Sequence, residues 1–119
     1  MNAKRMEIEQ EGDICIVRLI DKKFLDEQQI QRVGEELFDL LEKQGHRKIF
    51  VDFAPVEFIS SAMLGKLITL YRKAAGFRAK VILYNICDEI REVLKITKLD
   101  KTTYVIVKDK EAALAALRQ

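Results

Sequence analysis

A chain of 119 residues, 49% hydrophobic and 34% charged, has the size and balance of one soluble globular domain spanning residues 1–119. Its formal net charge is +2 and no Lys/Arg run exceeds two residues, which argues against direct nucleic-acid binding. No apolar run approaches the ~20 residues of a membrane span, and the N-terminus has no apolar signal segment.

The predicted elements begin with a hairpin. Met6 to Gln10 alternates weakly, Glu11-Gly12-Asp13 supplies a turn, and Ile14 to Ile20 is apolar and β-branched. Cys15 lies in this second strand. It and Cys87 sit in apolar surroundings without metal-spaced neighbours, so both are expected as buried, reduced thiols in a cytoplasmic setting. Asp21-Lys22-Lys23 breaks the pattern. Asp26 and Glu27 then open a helix, with acids at its positive dipole end. Ile30, Val33, Leu37, Leu40 and Leu41 recur at helical spacing, and Gly45 suits the C′ position beyond the helix end.

Lys48 to Phe53 reads as a strand covered on both faces, ended by Ala54-Pro55. Ser60 is placed to cap the next helix, with Met63, Leu64, Leu67, Ile68 and Tyr71 as its apolar face and Gly76 as its end. Lys80 to Tyr84 is a second buried strand. Asp88 and Glu89 start a third helix, with Ile90, Val93 and Leu94 inward. Tyr104 to Val107 is a short strand. Asp109 caps a last, alanine-rich helix that docks through Leu114 and Leu117. The order ββαβαβαβα predicts an α/β domain with a mixed, mostly parallel sheet, an opening β-hairpin and about four helices. Whether the helices share one face or wrap both is open.

Catalytic machinery is sparse, and the chain is not expected to be an enzyme. His46 is the single histidine, following Gly45 in a polar turn where a solvated loop residue is expected. Ser61 lacks the G-x-S-x-G elbow of a hydrolase. There is no P-loop and no G-x-G-x-x-G, so no cofactor is expected. Asp52 invites comparison with a phospho-accepting aspartate, but only Asp21 offers a further acid near the end of an early strand. A carboxylate bonding the following loop is the simpler reading.

Ser60 and Ser61 are the only serines in the chain. One reading is a cap followed by a first-turn residue. The other is a phosphorylation switch. A helix N-terminus tolerates phosphate, while a docked partner would meet a new charge of about −1.5 to −2.

Residues 49–74, IFVDFAPVEFISSAMLGKLITLYRKA, resemble the signature of STAS domains, the bacterial anti-sigma factor antagonists. The pattern is a buried strand ending in an acid, a short loop with a hydrophobic residue, and serines running into a helix with a Leu-Gly pair. The predicted element order fits the same family. The resemblance puts Ser61 on the phosphorylated serine, with Ser60 as a secondary candidate. Three positions depart from the pattern: Ser60 stands for an aspartate, Ala62 for Ser/Thr, and Met63 for glycine. The resemblance implies an antagonist that binds an anti-sigma factor serine kinase, is released by phosphorylation, and is restored by a PP2C-type phosphatase. ATP then belongs to the kinase. The implied docking face surrounds Ser61: Phe58, Ile59, Ser60, Ala62 and Met63, with Lys66 and Thr69 further along the helix. Asp21 and Phe24 join from the loop after the hairpin, although an ordinary loop and a helix-start staple also account for them. Arg72 and Lys73 are expected on exposed parts of the same helix. A STAS scaffold or sensor that is not phosphorylated is the alternative.

Overall fold

The structure is a computed structural model that describes residues 6–96 and 105–117. Among the described residues, seven strands and four helices follow in the order β1 (Met6–Glu11), β2 (Ile14–Leu19), β3 (Lys23–Phe24), α1 (Glu27–Glu42), β4 (Lys48–Asp52), β5 (Phe58–Ile59), α2 (Ser61–Gly76), β6 (Lys80–Tyr84), α3 (Asp88–Ile96), β7 (Val105–Ile106) and α4 (Lys110–Leu117). The main sheet has the order β1-β2-β4-β6-β7, antiparallel at the hairpin and parallel elsewhere. The α/β architecture, hairpin and four helices are those predicted. Tyr104, expected to begin the last strand, lies outside the described residues.

Register decides which side chains share a face. Val17 faces Val51, which faces Leu83, and these join Val33 and Leu37 of α1, Met63 and Leu67 of α2, and Ile90 and Leu94 of α3 in one core. Ile16, Phe50 and Ile82 point the other way and pack with Ala113, Leu114 and Leu117 of α4. The helices therefore divide three to one between the faces. The β4 strand is apolar throughout its centre because both of its faces are covered.

Helix α1 buries Ile30, Val33, Leu37, Leu40 and Leu41, as its periodicity requires. Asp26 and Gln29 form a reciprocal capping box at its start. At its end Lys43 is the cap, and Gly45 lies one position beyond C′, at φ +72°. The His46 N–H donates there to the Leu40 carbonyl, and His46 itself is half-buried. Helix α2 buries Met63, Leu67, Leu70 and Ala74, while Leu64, Ile68 and Tyr71 are half-buried flanks. It runs through Gly76. Arg78, rather than that glycine, takes the left-handed conformation at φ +57°, at a cost of roughly 1 kcal/mol.

Two further expectations need correction. Val93 is 37% exposed, because Ile90 and Leu94 fill the inward stripe of the short α3. Cys87 is half-buried, since it precedes α3 at the sheet end rather than lying within a strand; Cys15 is fully buried, and burial raises its thiol pKa. Two short strands, β3 and β5, pair parallel in a separate ribbon that the sequence pattern does not show. Two residues are too few for any alternation to register. Among the described residues, no helix is long and apolar enough to cross a membrane.

Candidate functional site around the start of helix α2

The β4 strand delivers the chain to the C-terminal edge of the sheet at Asp52. Its Oδ1 accepts from the Ala54 N–H at 2.9 Å and from Asn85 Nδ2 at 3.0 Å, the loop-bonding role expected of a strand-end carboxylate. The following segment is then stitched to the loop after the hairpin. Lys22 carbonyl oxygen accepts from the N–H groups of Glu57 (2.7 Å) and Phe58 (3.2 Å), and Phe24 carbonyl oxygen from that of Ser60 (3.0 Å). These bonds fix the backbone immediately before α2.

Ser60 and Ser61 have different surroundings. Ser60 is half-buried, in extended backbone at φ −80°, ψ 170°, and its Oγ accepts from the Met63 N–H at 3.3 Å. It is the N-cap. Ser61 is the first helical residue, exposed, and its hydroxyl makes no hydrogen bond to any described residue. The first turn carries no acidic side chain. An added phosphate at Ser61 would meet the positive end of the helix with no carboxylate on that turn to repel it.

The opposite loop is held by one side chain. Gln29 is the single buried polar residue among those described. Its Oε1 accepts from the N–H groups of Leu25 (3.2 Å) and Asp26 (3.3 Å), and its Nε2 donates to Asp21 Oδ2 (2.7 Å) and the Lys23 carbonyl (2.8 Å). The amide thereby uses both oxygen lone pairs and both hydrogens. The D-x-x-Q spacing signals a capping box, but the further reach to Asp21 and Lys23 depends on the tertiary path of the loop.

The residues expected at the docking face separate into two groups. Ser61, Ala62, Phe58 and Thr69 are exposed, with Ser60 and Asp21 half-buried beside them. Phe24, Ile59 and Met63 are buried in the core and offer no side chain to a partner in this conformation. Phe24 and Ile59 are inward residues of the β3–β5 ribbon, and Met63 lies on the inner face of α2, where its bulk fills core volume. Leu25, 57% exposed, and Phe58, 47% exposed, provide apolar surface instead. Leu25 was missed, although a leucine in a polar loop just before a helix cap was its available signal.

Lys66 also belongs elsewhere. Its stem crosses Gly34 of α1, where an added Cβ would lie 2.8 Å from Lys66 Cδ, and its Nζ donates to Gln31 Oε1 at 3.0 Å. Lys66 and Lys73 both lie over the Phe38 ring, at 5.9 and 5.2 Å from its centroid, and Lys73 pairs with Glu42 at 3.1 Å. These lysines fasten α2 to α1 and are half-buried; of the cations expected on exposed parts of α2, Arg72 alone is exposed.

A STAS domain model matches residues 5–113. Among solved structures, one from Thermotoga maritima, described as a candidate anti-sigma factor antagonist, is similar at 23% identity with a TM-score of 0.83, over 96% of this chain and 95% of that one. An anti-sigma factor antagonist from Mycobacterium paratuberculosis is similar at 19% identity with a TM-score of 0.81, over 96% and 93%. The Bacillus cell fate determinant SpoIIAA in its phosphorylated form is similar at 14% identity with a TM-score of 0.73, over 96% and 99%. At these identities the likeness to solved structures speaks for the fold. The family match spans nearly the whole described sheet and its helices, and the chain belongs to the STAS domain family.

Proposed function

We propose that this STAS domain is an anti-sigma factor antagonist switched by phosphorylation at Ser61. The observation that carries this reading is the contrast within the serine pair: Ser60 is spent as the cap, whereas Ser61 presents an exposed hydroxyl without a hydrogen-bond partner among the described residues. An anti-sigma factor serine kinase docks over the start of α2, with Leu25 and Phe58 supplying exposed apolar contact. The kinase transfers the γ-phosphoryl of its ATP to Ser61 Oγ. The Oγ–P bond forms, the bond to ADP breaks, and the hydroxyl proton is released. The new charge of about −1.5 to −2 sits inside the docked surface, where desolvating it is costly, and the complex separates. A PP2C-type phosphatase reverses the modification. Since the Ser61 hydroxyl makes no hydrogen bond among the described residues, the fold itself is unaffected.

Tandem mass spectrometry on protein purified from its native host tests this. One phosphate at Ser61, together with loss of kinase capture by Ser61→Asp at unchanged circular dichroism, is the expected result. Unmodified protein across growth conditions, with capture retained by Ser61→Asp, would favour the scaffold or sensor reading.

A further inference from the structure

The opposite face of the sheet carries a groove that the switch does not use. Across β1, β2, β4 and β6, register aligns Glu7, Arg18, Asp52 and Tyr84 in one row. Glu9 and Ile16 are paired in the next row. Helix α4 covers part of this face, and Lys110 in its first turn pairs with Glu11 at 2.7 Å. Between the helix start and the strands lies a groove of about 430 Å³ lined by those two rows and by Lys110, within the size range of small-molecule sites.

Two observations show that the groove is more than a solvated charge cluster. Tyr84 is only 2% exposed, lines the groove, and its hydroxyl makes no hydrogen bond to any described residue. Buried hydroxyls nearly always find a partner. Its ring is held edge-on against Phe50, with centroids 6.0 Å apart and planes at 81°. Arg18, exposed in the same lining, also has no ion pair or hydrogen bond among the described residues, despite its alignment with Glu7 and Asp52. Burial and the nearby Asp52, Glu11 and Glu9 carboxylates push the Tyr84 pKa up to about 12, so the phenol keeps its proton well into the alkaline range.

The lining selects the chemistry of an occupant. A simple anion would satisfy Arg18 and Tyr84 but face Glu7, Glu9 and Asp52. A simple cation would meet those carboxylates and leave both donors unused. Among the described residues no group of His, Cys, Asp and Glu is arranged to hold a metal ion. We propose that the groove binds a small zwitterion of the amino-acid class, its carboxylate on Arg18 and Tyr84 and its ammonium among Glu7, Glu9 and Asp52. Ile16 supplies apolar floor for the side chain. This inference does not depend on phosphorylation at Ser61.

The test is an amide-resolved NMR titration of the full chain with each proteinogenic amino acid, with acetate and methylammonium as half-ligands. At least one amino acid is expected to give saturable shifts at Glu9, Ile16, Arg18, Asp52 and Tyr84, and neither half-ligand should reproduce them. Tyr84→Phe should weaken that binding roughly three- to tenfold. Arg18→Gln, on an exposed side chain, should weaken it by more than about tenfold. Absence of saturation with every amino acid overturns the proposal. So does equal binding by methylammonium alone, or affinity unchanged in both variants at wild-type thermal stability.

Discussion

On one face of the sheet, α1, α2 and α3 press aliphatic residues into a core that reaches from Val17 to Leu94. On the other, the eight-residue α4 contributes Ala113 as its only fully buried side chain, with Leu114 and Leu117 half-buried beside it. The first face is built for stability. The second leaves a polar row and a groove at its margin. Burial is worth ~25 cal/mol per Å² of apolar surface removed from water, so three helices, two of them sixteen residues long, stabilise one side much more than one eight-residue helix does the other. The lesson is that a thinly covered face can hold unpaired polar groups that a dense core would not tolerate.

Substitutions on the two faces sharpen this contrast. Leu67→Ala on the thick face should cost about 2–5 kcal/mol in urea unfolding, whereas Leu117→Ala on the thin face should cost about 1 kcal/mol. Equal losses would break the distinction. Gln29→Ala should cost about 2–3 kcal/mol, because it strands several polar groups at a buried site and releases the loop from Asp21 to Asp26. Hydrogen exchange should report that release locally.

Tyr84→Phe should change stability by less than about 0.5 kcal/mol at neutral pH, since the hydroxyl has no partner to lose among the described residues. Its pH dependence is more telling. Burial, with the neighbouring carboxylates, raises the folded-state pKa of Tyr84 to about 12 from the ordinary 10.0 of a phenol. The protonated phenol's contribution is therefore complete below pH 10 and lost as pH rises through about 12. Wild-type stability should fall across that window more steeply than that of Tyr84→Phe, as followed by urea midpoints.

The serine pair should respond unequally. Ser60→Ala removes the cap and should cost about 1 kcal/mol. Ser61→Asp should leave stability within about 0.5 kcal/mol, because an exposed acid at a helix start is electrostatically welcome. If Ser61→Asp destabilised the fold as much as Ser60→Ala, the division of labour between the two serines would fail.

Much of the site was legible before the fold. Ser60 precedes a run with helical spacing, and its capping role follows from local chemistry alone. Asp52 likewise bonds within its own loop. Phe24, Ile59 and Met63 were legible only as apolar residues near the motif. Their burial depends on the β3–β5 ribbon and on which side of α2 meets the sheet. Lys66 carries no sequence signal for its seat on Gly34, thirty-two positions away, because close approach of two helices is not written in either one.

The sequence by itself determined the order of the main-sheet strands and the helices, the inward stripe of α1, and the caps at Asp26, Ser60 and Asp109, since each rests on neighbours within a few residues. The tertiary structure alone decided the three-to-one division of helices, the ribbon that stitches the loops together, and the row from Glu7 to Tyr84. Those features join residues far apart in the chain, and their positions follow from strand register and helix packing, which no local pattern of residues specifies.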